Sequence, residues 1–216
     1  MRIAPLIPLA VLAACSTGPE LRVPAAVADV VPPAAAEGME WRAVALPADR
    51  TRLRNWRKTW VTTLDAVRPV ASAEIAAEGK LFDPDLAVEG PIPPAGAYRC
   101  RWFKLGTIGR ATDPFVAVPA QQCTVWAEGA TGGIRFDDGV QRPIAMLLPD
   151  TSGRAVALGS LMLDHEQVPH AYGRDPLRDI AGYVDRIDNR RWRMVIPGPR
   201  FESQLDVIEI VPVAAD

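Results

Sequence analysis

AGYVDRIDNRRWRMVI, residues Ala181–Ile196, decides the fold. Two short runs rich in β-forming residues flank the turn pair Asp188-Asn189, which reads as an antiparallel hairpin. In the first run Asp185 alternates with Tyr183 and Ile187, the period of a strand. The same grammar extends in both directions. Upstream lie AYRCRWFKL (Ala97–Leu105), PFVAVP (Pro114–Pro119), QQCTVWAE (Gln121–Glu128), GIRFD (Gly133–Asp137), VQRPIAMLL (Val140–Leu148) and RAVALGSLML (Arg154–Leu163); downstream lies LDVIEIV (Leu205–Val211). Thr131-Gly132-Gly133, Asp138-Gly139 and Ser152-Gly153 separate neighbouring runs. Regularly spaced strands with tight connections predict an antiparallel meander, and closing a meander removes its edges.

The predicted class is therefore α+β, mainly antiparallel β. It is a meander barrel or strongly curved sheet of about eight strands, plugged or flanked by an N-terminal helical segment. An open sheet with helices on one face is the alternative. The helical segment is LPADRTRLRNWRKTWVTTLDAV, where Leu53, Trp56, Trp60, Leu64 and Val67 recur at spacings of three and four along one helix. Pro47 suits its first turn, and Asp49 complements the positive helix end. SAEIAAEG predicts a short second helix with Ser72 as N-cap and Gly79 as terminator.

The start of the chain reads as an address. Arg2 supplies a short positive region and Ile3 to Ala14 is apolar, the length of a signal-peptide core and too short to span a bilayer. LAAC (Leu12–Cys15) resembles the bacterial lipobox, whose cysteine is acylated and becomes the first residue of the mature protein. Ser16, with no aspartate beside the cysteine, favours the outer membrane. From Cys15 to residue 39 the Ala, Val and Pro content predicts an extended tether. The expected organisation is a signal peptide at 1–14, the lipidated cysteine and tether at 15–39, a helical segment at 40–94 and a β domain at 95–216. The last two form one globular unit.

With Cys15 consumed by lipid, Cys100 and Cys123 remain, both on core-facing sides of nearby strands in an oxidising compartment. A disulfide between them is expected. Net charge is −2, and loss of Arg2 with the leader makes it more negative, which argues against a nucleic-acid partner. No metal site or cofactor is expected. HEQVPH, between His165 and His170, lacks the HExxH spacing, and Pro169 would break its helix. Neither a GxSxG elbow nor a phosphate-binding loop occurs.

Several stretches taken in order resemble the bacterial family called domain of unknown function 4893: RLRNWRKTW (52–60), GAYRCRWFKLG (96–106), YGRDPLRDIAGYVDRI (172–187), RRWRMVIPGPRFES (190–203) and LDVIEI (205–210). The resemblance covers roughly residues 40 to 212. It implies a bacterial envelope protein and carries over no catalytic residue.

Two functions fit. The first is an envelope lipoprotein, held to the membrane through its N-terminal lipid, whose β domain is a non-enzymatic binding or structural module for a small or lipid-like molecule or a protein partner. The second is a hydrolase acting on envelope material, with Tyr172, Arg174, Asp175, Glu202 and Ser203 as candidates. The polar residues of the C-terminal half, Tyr172, Arg174, Asp175, Asp185, Arg186, Arg193, Glu202 and Glu209, form a candidate network or ligand site. If the Asp185 and Glu209 faces point into the barrel, their carboxylates need arginine partners. The expected clamp is Arg174 on Glu202 or Glu209, closing the 164–180 loop over a barrel mouth.

Overall fold

The computed structural model describes residues 40–213; the leader, Cys15 and the tether lie outside them. Nine antiparallel strands follow four short helices: α1 (Trp41–Val44), α2 (Pro47–Arg54), α3 (Trp56–Val67), α4 (Ser72–Ala77), a 3₁₀ turn (Gly79–Phe82), then β1 (Gly96–Leu105), β2 (Phe115–Ala117), β3 (Gln121–Glu128), β4 (Thr131–Phe136), β5 (Gln141–Thr151), β6 (Arg154–Leu163), β7 (Asp179–Asp188), β8 (Arg191–Pro197) and β9 (Leu205–Pro212). Each sequential neighbour pairs from β3 to β9, and β9 returns to β1 along Tyr98–Leu105. The result is a closed eight-stranded barrel with β2 as an extra strand. β1 pairs with β3 as far as Cys100↔Gln121, then with β2 from Phe103 to Leu105. The barrel wall therefore splits where β1 changes partner.

Strand alternation sorts the side chains into two layers. Tyr98, Cys100, Trp102, Ile134, Leu147, Val184, Met194, Ile208 and Ile210 fill the interior. Phe103, Leu105, Val195, Leu205 and Val207 face outward and are covered by Trp60, Leu64, Val67, Leu81 and Phe82 of the helical segment. Each large side chain so covered contributes about 1.5–3 kcal/mol. The helical segment flanks the barrel and does not plug it.

The long apolar stripe is two helices, not one. Asn55, a weak helix former, interrupts it with φ −91° and ψ 4°. The break lets Leu53 enter a cluster with Leu158 and Ala181, while Trp60 enters the cluster around Val195. A straight helix could not follow the curved wall to both. Ser72 is the first residue of α4 and makes no capping hydrogen bond. Thr131-Gly132-Gly133 belongs to β4 rather than a turn, because the Trp126 ring occupies the space a Gly133 side chain would need: a Cβ there would lie 1.9 Å from it.

The two ends of the barrel differ. The segment before β1 closes one end. Val88 bridges to Arg186, the Gly90 N–H donates to the Ser152 carbonyl at 3.1 Å, Trp192 Nε1 donates to the Gly90 carbonyl at 3.0 Å, and Ile92 packs on the interior cluster. The other end carries the loops 106–114, 137–140, 164–178 and 198–204. It is open.

Candidate functional site

Lys104 follows Trp102 on the inner face of β1, so it points into the open end of the barrel. Its side chain is 10% exposed, and its ammonium lies 4.4 Å from the centre of the Trp102 ring. Two carboxylates approach it: Glu202 Oε2 at 3.3 Å and Asp206 Oδ2 at 4.0 Å. Asp206 comes from the inner face of β9, directly opposite Lys104 in the β1–β9 register. It accepts the Ser203 hydroxyl at 2.5 Å. Burial pushes the Asp206 carboxyl up to about 6, against the pull of Lys104, the Ser203 hydroxyl and the nearby Trp102 indole. That indole N–H approaches too loosely to satisfy itself and has no hydrogen-bond partner among the described residues, as is true of Gln141 Oε1.

Trp102, Lys104 and Gln141 form the floor of a cavity of about 1030 Å³, with Asp206 and Ser203 buried behind it. Its walls include Ile108, Val116, Val118, Val140 and Phe201, with Arg110, Arg200 and Glu202 at the rim. The loops build it because the split between β2 and β3 leaves Val116 to Gln121 to line one side. Deeper in, interior side chains fill the barrel. The molecule is a packed core for most of its length and a cup at one end.

The polar residues expected from sequence do not form one site. Asp185 and Arg193 meet at 3.3 Å, but they point outward from the barrel and are buried beneath the helical segment. Alternation with the interior residues Val184 and Met194 fixes that direction. Arg193 also donates to the carbonyls of Leu81 and Leu86, both at 2.8 Å, and its guanidinium lies 4.7 Å from the Trp60 ring. Glu209 likewise faces outward, where it accepts Arg191 at 2.6 Å and Arg101 at 3.1 Å. Arg186 sits at the closed end and donates to the carbonyls of Glu89 and Asn189. Carboxylates on these strands are thus paired with arginines, but against the outer wall and not inside it.

The Arg174 clamp is absent: Arg174 is exposed, and Glu209 and Glu202 have the partners just named. Tyr172 fastens the loop instead. Its hydroxyl donates to Asp49 Oδ2 at 2.5 Å, and Arg52 holds the other oxygen of Asp49 at 2.7 Å. Burial and the Asp49 carboxylate raise the pKa of Tyr172. Asp179 accepts the Gly173 N–H at 2.8 Å, and burial raises its pKa also. Asp175 accepts the Leu177 N–H at 3.0 Å within the loop. Of the hydrolase candidates only Glu202 lines the cavity; Ser203 is buried against Asp206, and Tyr172 binds α2.

Sequence reasoning missed Lys104, Asp206, Asp49 and Asp179. The first two carried a signal. Lys104 continues the alternation of Cys100 and Trp102, and Asp206 alternates with Ile208 and Ile210. Asp49 and Tyr172 are 123 positions apart, and no local pattern joins them.

Cys100 and Cys123 lie at disulfide distance on the inner face, their Cα atoms 6.0 Å apart. Among the described residues no group of three or more metal-binding side chains converges, and no helix is long and apolar enough to cross a membrane. Residues 41–210 match the family model described as Domain of unknown function (DUF4893). The chain belongs to this family. No curated protein and no solved structure matches it. In this DUF4893 chain the matched span begins with α1 and ends within β9, so it takes in both the barrel and its helical cover.

Proposed function

We propose that this protein is a non-enzymatic binding module of the bacterial envelope, anchored by lipid on Cys15, whose open barrel end takes one small amphipathic molecule. The observation that carries the reading is the cavity of about 1030 Å³, apolar along its walls and polar at its floor. Ligand sites have this character: a concave apolar surface with a few placed polar groups that set orientation. Small barrels can hold a single ligand in this way. Closure of the opposite end by the Val88–Ile92 strap leaves one route in and out.

A binding role is favoured over hydrolysis by how the polar groups are used. The Ser203 hydroxyl is buried and committed to Asp206 and the Phe201 carbonyl, so no free nucleophile faces the cavity from this set. The envelope location is supported by the LAAC signal and by a cysteine pair suited to an oxidising compartment. Lipid anchoring suits a module that must work at a membrane surface, since acyl chains contribute about 0.8 kcal/mol per buried CH₂.

Displacement of an uncharged environment-sensitive dye tests the reading. The full mature chain should bind the dye saturably, and Val118→Trp, which fills the cavity from one wall, should abolish binding while leaving the melting temperature near that of the parent. Equal binding by both would refute the site. For the anchor, Cys15→Ser should leave the precursor uncleaved; normal processing of that variant would refute lipidation.

A further inference from the structure

The floor of the cavity distinguishes between headgroups, and this inference rests on the binding role just proposed. Lys104 is fixed: it sits on a strand, is almost wholly buried, and lies over Trp102 at 4.4 Å. Its nearer partner is not fixed. Glu202 is on a loop, its side chain is 52% exposed, and its backbone stands in the left-handed region at φ 63°, which is costly for a residue with a side chain. Its contacts to Lys104 and Gln141 are both 3.3 Å, long for charge-assisted hydrogen bonds. Glu202 is the group that can leave. Once it leaves, a buried ammonium faces the cavity with only the more distant Asp206 carboxyl, at 4.0 Å, beside it, and an incoming anion restores the nearer partner.

Two further observations point the same way. The Trp102 indole N–H, beside Lys104, is buried and leans toward Asp206 without completing a hydrogen bond. Arg110 and Arg200 stand exposed on the rim with no ion pair among the described residues. Against this, Asp206 places a second carboxyl group 4.0 Å from the ammonium. A dianionic head would meet repulsion there, whereas a single carboxylate only restores the charge that Glu202 takes away.

We infer that the open end selects amphiphiles bearing one carboxylate head, which displaces Glu202 from Lys104 and accepts from the Trp102 indole while the apolar body lies along Val116, Val118 and Phe201. No bond is made or broken; one carboxylate replaces another. The pocket is then a carboxylate receptor whose empty state is held by its own glutamate.

The test uses the full mature chain and three single-chain probes of equal alkyl length, ending in a carboxylate, a primary alcohol or a trimethylammonium group, each titrated against the bound uncharged dye. The carboxylate should displace the dye at concentrations about tenfold or more below the alcohol, and the trimethylammonium probe should be weakest. Lys104→Gln should remove the carboxylate advantage, so that carboxylate and alcohol displace the dye at similar concentrations. Glu202→Gln should strengthen the carboxylate several-fold relative to the alcohol. Equal displacement by carboxylate and alcohol would overturn the inference and leave the binding role standing, as would an unchanged carboxylate affinity in Glu202→Gln. If none of the probes displaces the dye, or no dye binds, both fall.

Discussion

Arg193 reaches Asp185 at 3.3 Å, and neither is accessible to solvent although both point away from the barrel interior. The helical segment makes this possible. Its carbonyls at Leu81, Asp83 and Leu86 accept from the same guanidinium, so one side chain joins the cover to the wall. Removing Arg193 takes the donor from all three carbonyls and leaves Asp185 to Arg154 alone, at 2.8 Å; each acceptor left buried and unmet costs about 1–3 kcal/mol. Arg193→Ala is therefore expected to lower the melting temperature by about 10 °C, and Arg193→Lys should not restore it, because one ammonium cannot serve three carbonyls and a carboxylate. Arg174→Ala, on an exposed loop position, should melt with the parent protein. Thermal denaturation of the three variants checks both statements; a silent Arg193→Ala would remove the staple from the account.

The cysteine pair sits where the barrel wall divides. Pairing of β1 with β3 ends at Cys100↔Gln121, and Cys123 is the next inward residue of β3. A covalent bond there would hold the seam beside the cavity. A loop of this size contributes about 3 kcal/mol by chain entropy. Replacing both cysteines with serine should lower the melting temperature by about 6–12 °C and weaken dye binding at the mouth. Peptide mapping without reductant should recover the Cys100–Cys123 pair from protein made in an oxidising compartment; finding both thiols free would reject the bond.

Asp206 makes stability depend on pH in an unusual direction for a carboxylate. Its folded pKa is raised to about 6, above the value near 3.9 of an unfolded aspartate. The folded state then binds the proton more tightly. This favours folding below about pH 4 and is lost as pH rises through about 6. Asp206→Asn, which mimics the neutral acid, should melt several degrees above the parent at pH 8 and close to it at about pH 4. Melting curves at the two pH values decide the matter, and an equal loss of stability at both would contradict the burial argument.

How much of this was legible in the sequence depended on whether a strand has one buried face or two. All nine strands follow from β-forming runs between turn residues, and the helical cover follows from the Leu53–Val67 stripe. Direction was harder. In AGYVDRI nearly every residue is buried, the inner half by the barrel and the outer half by the helices. Alternation groups Tyr183, Asp185 and Ile187 on one face but gives no contrast to say which face is inside. Where one residue's direction was already fixed, the rest could be read: Cys100 inside puts Lys104 inside. The Tyr172–Asp49 contact depends on tertiary packing alone, and so does the failure of Arg174 to find a carboxylate.

The central claim is that the open barrel end carries a ligand, and the most direct measurement is untargeted mass spectrometry of small molecules retained by the protein. The mature chain and its Val118→Trp variant would be purified under identical mild conditions from native membrane. The parent protein should yield a low-mass amphiphile, approaching one per chain, and the variant should lack it. Extracts that do not differ between the two would contradict the claim.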